Sequence, residues 1–289
     1  MMGRTLLVFA CFLMSAQAQT QESIPKLLEE VQIQNLLTTI SSLSAIESRS
    51  VRSAGNGFAQ KWITEEFVRI GYQPVQQCFA SQSWGEVCNI LAIKLADQPT
   101  EEMIVLTAHL DSVGEPYAGA DDNASGISGL LEIARVLRSK RSHRNIVFLA
   151  NNAEEVGTKG SQYFVSKLKS ENRLRFVHSV FVMDMIGYNK ANKVDIETYE
   201  PFRADAVSFA KLIAEHIDLK TNIVVPGWGS DHIPFLKAGI RAFLTINDSD
   251  TNTPCYHRAC DTPNTIDAEY LRKMVQVNLL GVTQAASLF

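Results

Sequence analysis

Apolar residues recur at helical spacing from Ile24 to Ile46 and again from Phe58 to Ile70, where Gly71 supplies a stop. Two strand-like runs follow, Val75–Phe79 and Val87–Leu95, on either side of the turn Ser81-Gln82-Ser83-Trp84-Gly85. From Met103 the rhythm changes. The run MIVLTA (103–108) reads as a continuous apolar strand, and so do NIVFLA (145–150), SVFVMD (179–184), IVV (223–225) and RAFLTI (241–246). Between and after them lie helical patterns over Ser125–Leu137, Ser161–Leu168, Ala204–Ile217, Pro234–Lys237 and Ala268–Leu288. Uninterrupted apolar strands separated by amphipathic helices predict an α/β fold, a mostly parallel central sheet with helices on both faces. No repeat, low-complexity tract or linker breaks the pattern, so residues 19–289 are expected to form a single domain.

The first residues stand apart. One cation, Arg4, precedes the apolar segment 6–16, and Ala16-Gln17-Ala18 then offers the small-x-small pattern that a signal peptidase reads. Residues 1–18 are expected to be a signal peptide, and the mature chain to be secreted or periplasmic. That apolar run is shorter than the ~20 residues a membrane helix needs, and no other stretch reads as a membrane span. With 27 Lys+Arg against 31 Asp+Glu the formal charge is −4, which leaves no positive field for phosphate contacts and excludes nucleic acid as a general partner. A chain that is 46% hydrophobic buries a real core. Of the 5 cysteines, Cys11 falls in the leader, and the even remainder in an exported chain permits two disulfides. Local pairing, Cys78 with Cys88 and Cys255 with Cys260, is the simplest of the three connectivities.

In such sheets ligands collect beyond the carboxyl ends of the strands. Strand 103–108 runs into His109-Leu110-Asp111, strand 145–150 into Asn151, Asn152, Ala153, Glu154 and Glu155, and the strand from 179 into Asp184. The segment 119–126, GADDNASG, sets Asp121 and Asp122 just before a helix, and Cys255-Tyr256-His257 lies ahead of the last one. Taken singly these have plainer readings, an aspartate pair at a helix N-cap or a glutamate pair on an exposed face. Together on one rim they would repel by several kcal/mol unless a cation neutralises them. Mixed imidazole and carboxylate donors suit zinc, with cobalt or manganese as alternatives. The spacing of His109 and Asp111 fits a carboxylate that orients the ring. Asp184, ending an apolar strand, is the hardest to explain without a partner.

Six blocks carry a family resemblance: TAHLDS (107–112), GADDNASG (119–126), NNAEEVGTKGS (151–161), MDMIGY (183–188), SDHIPFLKAGI (230–240) and YHRACDT (256–262). In order and spacing, from about Ala45 to the C-terminus, the chain resembles the secreted two-zinc aminopeptidases typified by bacterial leucyl aminopeptidases. The resemblance implies a zinc-exopeptidase-like fold and two zinc ions per chain, one held by His109 and Asp184, the other by Glu155 and His257, with Asp122 bridging them. It further implies that Asp111 orients His109, that Glu154 is the general base and that Tyr256 stabilises the oxyanion. Asp122, three before the serine, matches the bridging position, whereas Asp121 does not. His232 matches a structural or pocket position, the ligand being the histidine of the later block. Peptides with a free N-terminus are the implied substrates, and a monomer is expected.

Three rivals follow from the same resemblance. A glutaminyl-peptide cyclase shares the fold but works with a single zinc; the full second ligand set, and a tyrosine before His257 where a tryptophan would stand, argue against it. A two-zinc carboxypeptidase or dipeptidase is nearer. A metal-free binding module is disfavoured because every ligand position is filled. Trp228 either lines a substrate pocket or packs inside. Asn247-Asp248-Ser249 and Asn123-Ala124-Ser125 are formal glycosylation sequons, the second discounted because a glycan there would block the site. Gly157 and Gly160 read as the turn into a helix, since no Walker lysine follows.

Overall fold

The computed structural model describes residues 23–247 and 253–288, so the expected leader, residues 1–18, lies outside them. Eight strands form one sheet: β1 (Val75–Ser81), β2 (Gly85–Lys94), β3 (Met103–His109), β4 (Asn145–Asn151), β5 (Val177–Met183), β6 (Lys193–Glu197), β7 (Lys220–Val224) and β8 (Ala242–Ile246). Their order is β1-β2-β4-β3-β5-β8-β6-β7. The central strands β4, β3, β5 and β8 are mutually parallel, as is the β6–β7 pair, while β1 and β2 form an antiparallel hairpin and β6 runs antiparallel to β8. The expected α/β fold, a mostly parallel sheet between helices, is what the chain adopts.

Side chains alternate across the central strands, and each face has its own cover. Ile104, Leu106, Ala108, Phe148 and Phe181 pack into one core with α2 (Ile33–Ser44), α3 (Ala54–Ile70), α4 (Gly126–Leu137) and α8 (Ala268–Ala286). Val105, Val147, Leu149, Val182 and Leu244 form the other with α5 (Lys159–Ser170) and α7 (His232–Lys237). The chain leaves β3 through α4 on one face to reach β4, then returns through α5 on the other face to β5 on the far side of β3. That reversal opens a crevice at the carboxyl ends of β3, β4 and β5, the position where open α/β sheets bind ligands.

Two segments differ from the sequence expectation. The apolar stripe over 24–46 is not one helix: α1 (Ile24–Glu29) and α2 are separated at Gln32, which is extended and donates its amide to Glu132 of α4 at 2.7 Å. A tertiary partner for one amide outweighs a continuous helical pattern. β6 was not foreseen because its alternate positions Asp195 and Glu197 are charged yet 0% and 1% exposed, which defeats a rule that reads buried strands from apolar runs. A further helix, α6 (Arg203–His216), covers β7.

The cysteines pair as expected, Cys78 with Cys88 across the β1–β2 hairpin and Cys255 with Cys260 in the loop before α8.

The exit from β4 is held by buried amides. Asn56 and Asn152 exchange side-chain hydrogen bonds at 2.9 Å, and Asn89 accepts from the Asn152 amide while donating to the Gly160 carbonyl, each at 3.0 Å. Glycine at 160 is required, because a Cβ would sit 2.3 Å from the Asn152 carbonyl oxygen and 2.7 Å from its nitrogen. Gly160→Ala is expected to cost roughly 1–3 kcal/mol by overpacking, read as a lower midpoint in urea unfolding; an unchanged midpoint would show that the loop relaxes freely.

Candidate metal centre

Five segments deliver acids and histidines to the crevice. His109 ends β3 and Asp184 follows β5, so the central ladder fixes both. Asp122 comes from the wide turn 120–125 that leads into α4. That turn is tied to the end of β5 by the Asn123 amide on the Met183 carbonyl at 2.9 Å, and a Cβ at Gly126 would stand 2.7 Å from the same carbonyl. Glu154 and Glu155 leave β4, and Tyr256 and His257 sit in the loop closed by Cys255–Cys260.

The donors converge as two triads that share one carboxylate. His109 Nε2 lies 3.3 Å from Asp122 Oδ1 and 3.3 Å from Asp184 Oδ1. His257 Nε2 lies 3.1 Å from Asp122 Oδ2 and 3.1 Å from Glu155 Oε2. One ring N–H cannot satisfy two carboxylate oxygens, and those oxygens repel one another. A tetrahedral ion with bonds of about 2.0–2.1 Å sets its ligands roughly 3.3 Å apart, so the spacing suits a cation in each triad. The potential ligand atoms of His109, Asp122 and Glu155 all lie within 4.8 Å of one another. Glu155 Oε1 is buried with no hydrogen-bond partner among the described residues, a polar atom left for an ion to satisfy.

The electrostatics agree. Burial disfavours a charged His109 ring, but Asp184, Asp111 and Asp122 outweigh it and hold the imidazolium well above its ordinary range. His257 is raised to about 10 by its bonds to Asp122 and Glu155. Asp122, though buried, is pushed below the usual carboxylate range by the two histidines. In each case positive charge is demanded between nitrogen and carboxylate. Burial, reinforced by Asp122, lifts Glu155 to about 7, and burial lifts Glu154 well above its ordinary value. Burial also raises the Tyr256 hydroxyl, followed by the Asp122 charge, which keeps it a hydrogen-bond donor. Its ring stacks on His257 at 3.8 Å.

Asp111 does more than the sequence implied. Its carboxylate accepts the amides of Glu154 and Glu155 at 3.1 and 3.2 Å, fixing that pair. His109 Nδ1 meets the Asp111 carbonyl at 3.2 Å and its carboxylate at 3.6 Å, so the backbone oxygen makes the nearer contact to the ring. Three residues beside or within the donor set, Ala153 (φ 59), Met185 (φ 46) and His257 (φ 51), hold left-handed backbone that a side chain with Cβ disfavours.

Sequence reasoning passed over four supports. Asp261 accepts the amides of Asp121 and Asp122 at 2.8 and 3.1 Å. Asp121 accepts the amides of Gly187 and Tyr188 at 2.7 and 3.2 Å, and burial raises it to about 8. Ser230 donates to Asp184 Oδ2 at 2.8 Å. Arg49, fully buried, donates to the carbonyls of Leu110, Ala118 and Gly119; burial lowers its pKa, and the charges of Asp122, Asp261 and Asp111 draw it back up. Asp261 stood in a recognised block, but nothing local marked Arg49.

The remaining candidates resolve as follows. His232 is buried and neither ring nitrogen has a partner among the described residues, so it is not one of the converging donors. Trp228 is 73% exposed, which removes the packing role. Asn123 and Asn247 are buried, and Asn247 donates to Asp121 and Thr253 at 3.1 and 2.9 Å, so neither folded asparagine offers a glycan site.

The sequence pattern of Peptidase family M28 matches residues 89–282. Aminopeptidase YwaD of Bacillus subtilis (strain 168) is 34% identical over 215 residues, which are 72% of this chain and 46% of that protein; the chain thus spans about half the length of that relative. Among solved structures, BSAP, a zinc aminopeptidase from Bacillus subtilis, superposes with a TM-score of 0.82 at 21% identity, covering 91% of this chain and 96% of that one. A glutaminyl cyclase from an Acidobacteriales bacterium superposes with a TM-score of 0.75 at 19% identity, covering 89% and 95%.

Burial depresses His232 to about 3 from 6.5, so below pH 6.5 the unfolded chain binds a proton that the folded chain refuses. The stability this residue confers is whole above that value and is lost as pH falls, at ~1.4 kcal/mol per pH unit. Urea melts between pH 6 and 4.5 should therefore show His232→Leu losing less stability than the parent; parallel slopes would refute the assignment.

Proposed function

The chain belongs to Peptidase family M28, and on that premise we propose that it is a metal-dependent exopeptidase, an aminopeptidase that removes N-terminal residues from peptides. The observation that carries this reading is the sharing of Asp122, with Oδ1 at 3.3 Å from His109 and Oδ2 at 3.1 Å from His257. A bridging carboxylate of that kind suits a pair of ions held side by side. In this reading His109 and Asp184 hold one zinc and Glu155 and His257 the other; the sulfur-free donor set fits zinc, with cobalt or manganese as alternatives. When bound, such a pair polarises a peptide carbonyl and lowers the pKa of a water.

The protein's own groups do the rest. Glu154 neighbours the triads without belonging to either, takes the proton from the attacking water and returns it to the departing amine. Tyr256, kept protonated, donates to the oxyanion. Asp111 holds the Glu154–Glu155 backbone and the His109 ring in register. Substrates are peptides with a free N-terminus. Residues 19–289 act as one zinc peptidase domain, a monomer, after removal of the leader 1–18, and the protein is secreted or periplasmic. Two disulfides fit export, and among the described residues no helix is long and apolar enough to cross a membrane.

The cyclase likeness sustains one alternative, pyroglutamate formation with a single metal. Metal analysis of the purified mature chain, combined with a panel of aminoacyl anilides, separates the two. The expected result is two zinc ions per chain, activity abolished by chelation and restored by zinc, and no cleavage of N-acetylated peptides. One metal with cyclisation of N-terminal glutamine would establish the alternative, and cleavage of blocked peptides would point to a carboxypeptidase or dipeptidase. Glu154→Gln should retain metal yet lower turnover about 10²–10⁴-fold. Glu155→Ala should lose metal as well, and full retention there would remove Glu155 from the ligand set.

A further inference from the structure

The loop before α8 joins two groups that matter to Asp122. Cys255 and Cys260 close a ring with a sequence separation of 5. Inside it, His257 reaches both Asp122 Oδ2 and Glu155 Oε2 at 3.1 Å, with Tyr256 stacked on its face. The residue after Cys260 is Asp261, whose carboxylate accepts the amides of Asp121 and Asp122. One covalent ring thus connects a donor of one triad to the clamp that positions the shared carboxylate.

Apart from the bonds of Asp261 to the Asp121 and Asp122 amides, the ring is held by short-range contacts. His109 and Asp184 inherit their positions from the central strands, and Glu155 from Asp111, whereas 253–262 contains neither helix nor strand. Pro254, Tyr256, Arg258, Ala259 and Cys260 are exposed, so burial contributes little. Local amide bonds from Arg258 to Cys255 and from Asp261 to Arg258, each 3.0 Å, shape the turn. His257 itself sits at φ 51, a conformation that persists only where the surroundings impose it.

We propose that the Cys255–Cys260 disulfide is a positioning element for the metal centre: it sets the affinity of the ion held by Glu155 and His257 without touching it. The inference rests on the two-metal reading above. A loop of this size loses conformational freedom worth about 10- to 40-fold in an equilibrium constant when it is closed covalently, and that is the factor at stake.

The test is stepwise zinc titration against a competing chromophoric chelator, on the full mature chain, for wild type, C255S/C260S and C78S/C88S. Failure of the wild type to bind two zinc ions would sink the two-metal reading and this inference with it. With two bound in the wild type, the expected result is that C255S/C260S takes the first zinc at wild-type affinity and the second about 10- to 40-fold more weakly. Its kcat should fall at limiting zinc and recover at saturating zinc with KM unchanged, while C78S/C88S binds both ions as wild type does. Equal affinities in C255S/C260S, equal weakening of both ions, or the same defect in C78S/C88S would overturn the proposal.

If C255S/C260S does not fold, wild type folded with its disulfides is treated with a water-soluble phosphine. The phosphine becomes its oxide with oxygen from water, the disulfide becomes two thiols, and iodoacetamide caps these with loss of iodide. Thiol mapping identifies the bond opened, the exposed Cys260 end being accessible, and the same selective loss of the second zinc is expected. Collapse of the fold in that arm, or an unchanged titration, overturns the proposal too.

Discussion

Negative charge confined in a crevice is the constraint on which this structure turns. Asp111, Asp121, Asp122, Asp184, Asp231 and Asp261 are all buried near one another, Glu154 and Glu155 are half-buried beside them, and Arg49 is the buried guanidinium whose field reaches the cluster. Ionised carboxylates at such spacing cost several kcal/mol in a low-dielectric setting unless positive charge is interposed. The protein meets part of that demand with backbone amides, which Asp111, Asp121 and Asp261 receive in pairs. Asp122, Glu155 and Asp184, which receive none of those amide pairs, face histidine nitrogens, while Asp231 accepts a hydroxyl bond from Ser161.

That division explains the architecture around the site. Acids bonded to amides serve as fasteners: Asp111 fastens the turn after β4, Asp121 the turn after β5, and Asp261 the turn that carries Asp122. Each fastener joins two segments distant in the chain, so the donor set is assembled by long-range hydrogen bonds rather than by local geometry. Left-handed backbone gathers where those segments meet, at Ala153, Met185 and His257.

Much of the fold was legible because buried parallel strands advertise themselves as unbroken apolar runs. Segments 103–108, 145–150, 179–184 and 241–246 were all recognised, and the strand ends then singled out His109, Glu154, Glu155 and Asp184. Where a tertiary partner overrides local pattern, reading failed. Gln32 breaks a helical stripe because Glu132 takes its amide, and β6 hides because Asp195 and Glu197 are buried charges.

Residue types and their order along the chain decided the α/β class, the rim that carries chemistry and the disulfide pairing that proximity makes simplest. These are properties of periodicity and spacing, which a linear string contains. Only the folded chain decided that one carboxylate faces two histidines, that Asp261 and Arg49 brace the crevice, and that His109 leans on the Asp111 carbonyl more closely than on its carboxylate. Such facts depend on which segments approach within a few ångströms after some hundred intervening residues have packed, and no local pattern encodes that distance.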